Sequence, residues 1–289
     1  MAGKSCDMSI FKDEALKKIG IDVNDIEYIN ELARQAGYKA KEIYQNGILN
    51  IETKDNQYDL VTVADIELSQ FILKTLKERF TGDVVISEEE PLPSELVTHN
   101  RVWVVDPIDG TDNYIRNDGW YSIMIGIIKN NKPVAGWVYA PVEDRLILGI
   151  PDSGLYEKCG TFEMHEIEIK EHNMKPDVPL RVMMGRRDRR LNPDITEKLS
   201  KLNFVEMGSL GLKVFMIIDG MADIFIHICK KIKLWDTVAP SAIAIAAGLK
   251  ISTLEGDQFE FNLNEIHHRQ TFTVGVSGAR EIILSILKD

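Results

Sequence analysis

Apolar residues recur at helical spacing in the first part of the chain. One such face predicts an amphipathic helix from about residue 24 to residue 46 and comprises Ile26, Ile29, Leu32, Ala33, Ala36, Ala40 and Ile43. A second helical pattern runs from Ile66 to Phe80 and places Asp65 at its N-cap. Residues 1–22 are weakly patterned and predict one short helix at most.

Short apolar runs bounded by turn residues dominate the middle of the chain. They predict strands at 84–86, 102–105, 122–129, 134–139 and 145–150, and the turns between the last three indicate an antiparallel sheet. The second half alternates strands at 180–184, 222–228 and 272–276 with helices at 193–202, 209–220 and 279–288. An alanine-rich helix begins near Asp236, ends at Gly248 and carries Pro240 in its first turn. The pattern as a whole predicts an α/β (α+β) fold.

A polar segment at 160–180 separates the two kinds of pattern. It contains Pro176 and Pro179, which disfavour regular structure. We therefore predict two halves, residues 1–160 and residues 161–289, with the boundary in this segment.

Composition narrows the classes of function. The formal charge of -11 argues against binding of a nucleic-acid polymer, because such a surface is basic and the chain has only one short basic cluster, at 186–190. No apolar run reaches the roughly 18 residues of a membrane span, and the first residues lack a secretory signal. Three scattered cysteines predict neither disulfides nor a zinc site, which favours a cytoplasmic location.

The stretch at 102–114 carries the most distinctive chemistry. Pro107 cannot donate a ladder hydrogen bond, so we expect the strand to end with Asp106 at the sheet edge. Asp109 follows, then Gly110, which allows close backbone approach, and Thr111, which can begin a helix. The stretch therefore offers carboxylates to cations and amide groups to an anion.

Other acids occupy similar places in the sequence. Glu88 follows a short strand, and if that strand were parallel to the one before Asp106, both acids would lie at the same sheet edge. Asp236 stands at a helix start. Oxygen ligands without histidine or cysteine favour a hard cation such as Mg2+. Helix caps at Asp65 and Asp236, and a solvated acidic run at 88–90, are the structural alternatives.

Four motifs together resemble the inositol monophosphatase superfamily of lithium-sensitive, Mg2+-dependent phosphatases. They are Val-Thr-Val-Ala-Asp at 61–65, Ser-Glu-Glu at 87–89, Asp-Pro-Ile-Asp-Gly-Thr-Asp-Asn at 106–113 and Trp-Asp at 235–236. The resemblance implies a layered αβαβα sandwich of the inositol monophosphatase and fructose-1,6-bisphosphatase type, usually a homodimer. It also implies two or three Mg2+ ions, inhibition by Li+, and direct attack of metal-activated water on a small phosphate ester.

The resemblance also assigns roles to residues. Metal ligands would be Glu88, Asp106, the backbone carbonyl of Ile108, Asp109 and Asp236. Thr111 and Glu88 would hold the attacking water and Asp65 would support Thr111. Phosphate would be bound by the amides of Gly110 and Thr111, and substrate contacts would come from Lys213 and Asp236.

The identity of the ester stays open. Asn113-Tyr114 resembles the inositol monophosphatases, whereas the motifs at 87–91, 139–142, 209–213 and 235–240 resemble the 3'(2'),5'-bisphosphate nucleotidases, which act on 3'-phosphoadenosine 5'-phosphate. Lys230, Lys231 and Lys233 could contact a second phosphate or belong to a solvated loop. We expect a structural role for His227 and a packing role for Trp235, while the cluster at 186–190 could serve a dimer surface or substrate gating. An inactive metal-binding regulatory protein is the non-enzyme alternative, which the intact acids and Thr111 disfavour.

Overall fold

A computed structural model describes residues 10–47, 51–53, 60–93, 101–168, 178–230 and 232–288. The helices are α1 Asp13–Ile19, α2 Val23–Gln45, α3 Val63–Arg79, α4 Thr111–Arg116, α5 Arg186–Leu191, α6 Pro193–Lys198, α7 Leu210–Ile218, α8 Leu234–Ala246 and α9 Ala279–Lys288. The strands are β1 Glu52–Thr53, β2 Leu60–Val61, β3 Val84–Ser87, β4 Arg101–Asp109, β5 Ser122–Lys129, β6 Lys132–Ala140, β7 Arg145–Ile150, β8 Gly154–Cys159, β9 His165–Glu166, β10 Arg181–Met184, β11 Asn203–Phe204, β12 Ile224–His227, β13 Lys250–Ser252 and β14 Phe272–Gly275.

The first large sheet has seven strands in the order β3-β4-β5-β6-β7-β8-β9. Only β3 and β4 are parallel within it, which is the condition stated above for bringing Glu88 and Asp106 to one edge, and the predicted antiparallel hairpins are confirmed. Alternate residues of β4 enter different cores, because successive side chains of a strand point to opposite faces. Trp103 packs with α2 and α3, whereas Val104 packs with α8. Both faces of this sheet are therefore covered by helices.

The second large sheet has five strands in the order β11-β10-β12-β14-β13. Helices α7 and α8 lie between the two sheets, and α6 and α9 pack together on the far side, with α9 against β14. This gives helix, sheet, helix, sheet and helix layers, and the predicted layered αβαβα fold is confirmed.

A row of glycines lets α8 lie directly on the seven-stranded sheet. Gly126, Gly136 and Gly149 are register partners on three neighbouring strands. A Cβ atom at Gly136 would stand 2.2 Å from the carbonyl oxygen of Ala239, and one at Gly149 would stand 2.3 Å from the Cα atom of Ile243. Because glycine has no Cβ, the helix backbone can approach this closely. The row thus fixes the height of the helix that carries Asp236.

Three local predictions were wrong. Thr62 is the N-cap of α3, and Asp65 is the third helical residue, because the two close a reciprocal capping box. Strand β4 continues through Pro107 to Asp109, with a register shift between Asp106 and Asp109 that accommodates the missing N–H.

The third concerns α8, which begins at Leu234, so Asp236 is again a third helical residue and not an N-cap. Pro240 lies inside the helix, beyond the first turn. Because proline lacks an N–H group, it cannot donate the usual helical hydrogen bond to the carbonyl of Asp236.

The predicted boundary between the halves lies partly outside the described residues, at 169–177. Strand β9 extends the first sheet to Glu166. Both sheets share one core around α7 and α8, so the division into residues 1–160 and 161–289 stays a prediction. In the predicted leader, α1 is the short helix, and residues 1–9 are outside the described part. Within the described segments, no helix has the length and hydropathy of a membrane span.

Candidate active site

The ends of β3 and β4 bring the first acids together. Ser87 pairs with Val105, and the amide of Glu88 donates to the carbonyl of Val105 at 3.3 Å. Asp106 therefore follows directly on the partner of the strand that leads into Glu88. Its side chain is only 2% exposed and accepts a hydrogen bond from the amide of Ile108 at 3.1 Å. The parallel pairing of β3 and β4 therefore places Glu88 and Asp106 at the same edge of the sheet. This placement depends on the strands and needs no contact between the two carboxylates.

Asp109 lies at the centre of a buried hydrogen-bond network. Its Oδ2 accepts from the Ser209 hydroxyl, from the amide of Gly211 at 2.8 Å and from the Ser122 hydroxyl at 3.3 Å. Ser209 is the N-cap of α7, because its hydroxyl also accepts from the amide of Leu212 at 3.1 Å. The carboxylate thus joins β4 to the first turn of α7. Sequence reasoning missed Ser122, since a serine at a strand start carries no distinguishing pattern.

Asp65 and Thr111 are in direct contact. The Thr111 hydroxyl donates to Asp65 Oδ1 at 3.0 Å and also lies 3.2 Å from the carbonyl oxygen of Ile108. The other oxygen of Asp65 accepts from the amide and the hydroxyl of Thr62, at 2.8 and 2.6 Å. Gly110 precedes Thr111 with φ 96°, a left-handed conformation that favours glycine. The first turn of α3 therefore holds the hydroxyl group that begins α4.

Asp236 approaches from the second half of the chain. Its Oδ2 accepts from the amide of Lys233 at 2.6 Å. The Lys233 ammonium lies 3.9 Å from Glu88 Oε1 and 5.1 Å from the centre of the Trp235 ring. Trp235 is buried in the core beside the site, so its predicted packing role is confirmed. Its indole N–H has no partner within the described chain.

The acids influence one another electrostatically. Burial raises the pKa of Asp106 well above its usual range, and the charges of Glu88, Asp109 and Asp236 raise it further. Burial also raises the pKa of Asp236 to about 8, again with a contribution from Glu88. The pKa of Asp65 is raised by burial, although its hydrogen bonds from Thr62 and Thr111 oppose the rise. Asp65, Glu88, Asp106, Asp109 and Asp236 therefore form one cluster of interacting acids.

This cluster fits a hard divalent cation by its chemistry. All its side-chain donors are oxygen atoms, and two of its carboxylates, Asp106 and Asp236, resist ionisation unless a positive charge compensates them. Among the described side chains, no three acids, histidines or cysteines have the geometry of a completed ion site. Asp109 and Asp236 are instead directed to protein donors.

Lys213 is buried behind the cluster instead of facing solvent. Its ammonium donates to the carbonyl of Gly208 at 2.8 Å and lies 4.8 Å from the centre of the Phe225 ring. Burial lowers the pKa of Lys213, and the charges of Asp109, Asp188 and Asp236 oppose this shift. Of the basic segment before Asp236, Lys230 is exposed and Lys231 lies outside the described residues.

A cavity of about 250 Å³ adjoins this site. We call it the arginine cavity, because its wall includes Arg116, Arg186, Arg187 and Arg189. Asp112 and Asn113 of α4, Gly208 and His227 also line it. The basic cluster at 186–190, considered above for a dimer surface or for substrate gating, lies in α5 and supplies one wall of the cavity.

Asp188 and His227 form a buried pair on the cavity wall. His227 Nδ1 lies 2.9 Å from Asp188 Oδ2, and Asp188 Oδ1 accepts from the amides of Ile228 and Cys229 at 3.0 and 2.8 Å. His227 Nε2 is buried without a hydrogen-bond partner in the described chain. The expectation of a satisfied structural histidine was therefore wrong for one of its two nitrogens. Sequence reasoning missed Asp188, because it is hidden within a run of arginines.

Comparison with known proteins was decisive for the family. The sequence pattern of the inositol monophosphatase family matches residues 23–280. The chain belongs to the inositol monophosphatase family. It is 31% identical over 255 residues to the 3'(2'),5'-bisphosphate nucleotidase CysQ of Salmonella typhimurium, covering 87% of this chain and 99% of that protein. It is 25% identical over 275 residues to inositol monophosphatase 1 of Bos taurus, covering 91% of this chain and 96% of that protein.

A solved structure has the same fold as this chain. The chain superposes on an IMPase of Thermotoga maritima with a TM-score of 0.76, 21% identity and coverage of 92% and 97% of the two chains. The predicted superfamily is confirmed, and with it the reaction class of a metal-dependent phosphatase. Mg2+ dependence is general in this family. The roles of individual site residues stay predictions.

The Asp188 pair gives this family member a testable acid sensitivity. Burial disfavours the charge of Asp188, but the bonds from His227 and Cys229 outweigh it and lower the pKa of Asp188 to about 2. A lowered folded-state pKa stabilises the protein above the unfolded value of about 3.9, and this contribution is lost as the pH falls from about 4 to about 2. Asp188→Asn is expected to destabilise the protein by about 2–3 kcal/mol at pH 7, and by about half as much at pH 3.

Urea unfolding of both proteins at pH 7, 5, 4 and 3 measures this difference. The exposed Asp194→Asn is the matched control, since it removes the same charge from a solvated position. A free-energy gap that stays constant down to pH 3 would contradict the assigned pKa of Asp188.

Proposed function

We propose that the chain is a Mg2+-dependent phosphomonoesterase that releases inorganic phosphate from a small phosphorylated metabolite. One observation carries this proposal: the buried carboxylates of Asp106 and Asp236 hold raised pKa values within electrostatic reach of Glu88 and Asp109. A cluster of repelling acids is costly unless a cation occupies it. The family membership supplies the reaction class.

The proposed roles follow the positions of the groups. Glu88, Asp106, the carbonyl of Ile108, Asp109 and Asp236 would hold two or three Mg2+ ions. When bound, Mg2+ supplies charge neutralisation at the phosphate and lowers the pKa of water. We expect Li+ to inhibit, as it does in this family.

The remaining groups position the reactants. Thr111, fixed by its 3.0 Å bond to Asp65, would orient the attacking water together with Glu88. The amides of Gly110 and Thr111 would bind phosphate oxygens. Lys213 supports the carbonyl of Gly208 and adds positive charge behind Asp109. Catalysis would therefore depend on positioning and electrostatic stabilisation.

Two substrate classes are candidates. An inositol phosphate is the first, because Asn113-Tyr114 follows the central motif as in the inositol enzymes. A 3'(2'),5'-bisphosphate nucleotide is the second, and the nucleotidase-like motifs together with the 31% identity to CysQ favour it. The arginine cavity beside α4 also suits an additional anionic group.

Phosphate release tests the function directly. Purified protein with Mg2+ is expected to hydrolyse inositol-1-phosphate or 3'-phosphoadenosine 5'-phosphate, and both Li+ and EDTA are expected to suppress the release. The ratio of kcat/KM for the two esters assigns the substrate class. If neither these esters nor other small phosphate esters are hydrolysed, the inactive metal-binding protein becomes the better description.

The proposal extends to assembly and location. We infer a homodimer in the cytoplasm that acts on small molecules and not on nucleic-acid polymers or membranes. Cys159 and Cys229 are free thiols, which is compatible with a reducing compartment. Sedimentation velocity at micromolar concentration checks the dimer, and cell fractionation checks the location.

A further inference from the structure

The arginine cavity has an excess of positive charge in an acidic protein. Four arginines and three carboxylates line it, whereas the whole chain carries a formal charge of -11. Its acids are already engaged. Glu206 pairs with Arg186 and Arg189, Asp112 pairs with Arg116, and Asp188 pairs with His227. One lining arginine forms no ion pair with any of these acids in the described part of the chain.

Arg187 is that residue. It is half-buried on the cavity wall, and within the described part of the chain its guanidinium has neither a hydrogen bond nor an ion pair. A guanidinium offers five N–H donors in a planar fork that matches a phosphate group. The charge of Arg187 is thus available to a ligand.

Two further polar atoms on the same wall have no partner. Four buried side-chain nitrogen or oxygen atoms lack a hydrogen bond in the described chain, and two of them, Arg189 Nε and His227 Nε2, belong to cavity-lining residues. Unsatisfied buried polar atoms are rare in native proteins and call for a ligand or an ordered water. Arg189 Nε carries a hydrogen to donate, and His227 Nε2 donates only from the doubly protonated imidazole, whose positive charge the Asp188 carboxylate would balance. Two such donors on one basic wall fit a ligand rich in acceptor atoms.

The cavity also lies next to the proposed phosphate site. Asp112 and Asn113 in its wall directly follow Gly110 and Thr111, and Gly208 directly precedes Ser209, which binds Asp109. An ester whose reacting phosphate lies at Gly110 and Thr111 would extend its remaining part into the cavity.

We propose that the arginine cavity binds a second phosphate group of the substrate through Arg187, Arg189 Nε and His227, and that Arg187 determines the preference for bisphosphorylated esters. This inference rests on the proposed phosphomonoesterase function. Asp188 acts as a positioning residue, because its bond to Nδ1 fixes the imidazole ring. The second phosphate could belong to a nucleotide or to a sugar, and the two share this chemistry.

Matched pairs of substrates test the proposal. The nucleotide pair is 3'-phosphoadenosine 5'-phosphate and 3'-AMP, and the sugar pair is inositol 1,4-bisphosphate and inositol-1-phosphate. Arg187→Gln is expected to lower kcat/KM for the preferred bisphosphate by roughly 10- to 100-fold, the range for loss of a charge-assisted hydrogen bond. The monophosphates are expected to change by less than about twofold, because they lack the group that Arg187 contacts. The pair that responds identifies the nucleotide or the sugar source.

Controls separate this contact from a general effect of charge. Arg190→Gln removes the same charge from an exposed position on α5. It is expected to leave the ratio of kcat/KM for bisphosphate over monophosphate unchanged in both substrate pairs. Arg187→Lys should retain part of the preference. His227→Gln is a second variant, expected to weaken the same bisphosphate selectively. Equal losses on both members of each pair, or no loss on either, would overturn the proposal.

Binding without turnover distinguishes this proposal from the proposed function. Calorimetric titration of AMP in EDTA, where only the 5'-phosphate is present, is expected to show binding that Arg187→Gln weakens at least about tenfold. Arg187-dependent binding without hydrolysis of any ester would retain the cavity and reject the phosphatase. Hydrolysis whose bisphosphate preference survives in Arg187→Gln would retain the phosphatase and reject the cavity.

Discussion

Asp106→Asn is expected to abolish Mg2+-dependent phosphate release while leaving the metal-free protein at least as stable as the wild type. The loss should be on the order of 10³-fold in kcat/KM, because a metal ligand contributes several kcal/mol of transition-state stabilisation and each 1.36 kcal/mol is about tenfold. Asparagine has nearly the same shape as aspartate and can still accept from the amide of Ile108. The site would therefore lose charge but not packing.

The expected stability of metal-free Asp106→Asn follows from the pKa of Asp106 in the wild type. Burial and four neighbouring acids raise it in the folded state. A raised folded-state pKa contributes stability below the unfolded value of about 3.9, and this contribution is lost as the pH rises through the folded value. At pH 7.5 the metal-free wild type should therefore bear a repulsion that Asp106→Asn lacks.

Thermal unfolding with EDTA and with Mg2+ measures both effects. The wild type should gain stability with Mg2+, since a ligand that binds only the folded state raises its Tm. Asp106→Asn should show a smaller gain from an equal or higher starting Tm. Asp152→Asn is the matched control, because its side chain is 71% exposed. Near wild-type turnover by Asp106→Asn would exclude Asp106 as a metal ligand.

Gly136→Ala is expected to destabilise the fold and to impair activity at a distance from the site. The added Cβ would stand 2.2 Å from the carbonyl oxygen of Ala239, which is backbone and cannot rotate away. Helix α8 must therefore shift, at a cost of about 3 kcal/mol for overpacking, or roughly 5–10 °C in Tm. The shift would move Asp236, so the affinity for Mg2+ should also fall.

Gly82→Ala provides the control for this second change. A Cβ at Gly82 would meet no atom within 4 Å, so its effect should be small. Denaturant unfolding gives the stability of each variant, and the Mg2+ concentration for half-maximal activity reports the position of Asp236. An unchanged Tm for Gly136→Ala would show that α8 does not rest on the glycine row.

Much of the architecture was predictable because it depends on short-range patterns. Periodic apolar positions located α2 and α3, and turn residues located the hairpins from β5 to β7. Motif order and spacing gave the family, since Asp106, Asp109 and Gly110 must stand in a fixed relation to act together. The direction of β3 relative to β4 was left open by the sequence, and its parallel pairing brings Glu88 and Asp106 to one edge.

Features that depend on three-dimensional packing were not predictable. The N-caps of α3 and α8 lie three residues before Asp65 and Asp236. A carboxylate at the third helical position also forms a capping hydrogen bond, in which it accepts from the N-cap amide, so the sequence alone does not distinguish the two positions. The close approach of α8 to the seven-stranded sheet was not predictable, because it depends on three glycines that are register partners on neighbouring strands. The pairing of Asp188 with His227 joins two elements far apart in sequence, with no local signal.

The two oxygens of Asp65 tie the local dynamics of α3 to the chemistry of Thr111. One oxygen closes the first helical turn through Thr62, and the other accepts from Thr111. Fraying of that turn, a low-energy motion in most helices, would here remove the carboxylate that accepts from the Thr111 hydroxyl. Amide hydrogen exchange at the start of α3 would then report the fraction of molecules whose site is assembled at any moment. We expect the start of α3 and the Thr111 side of the proposed active site to open together.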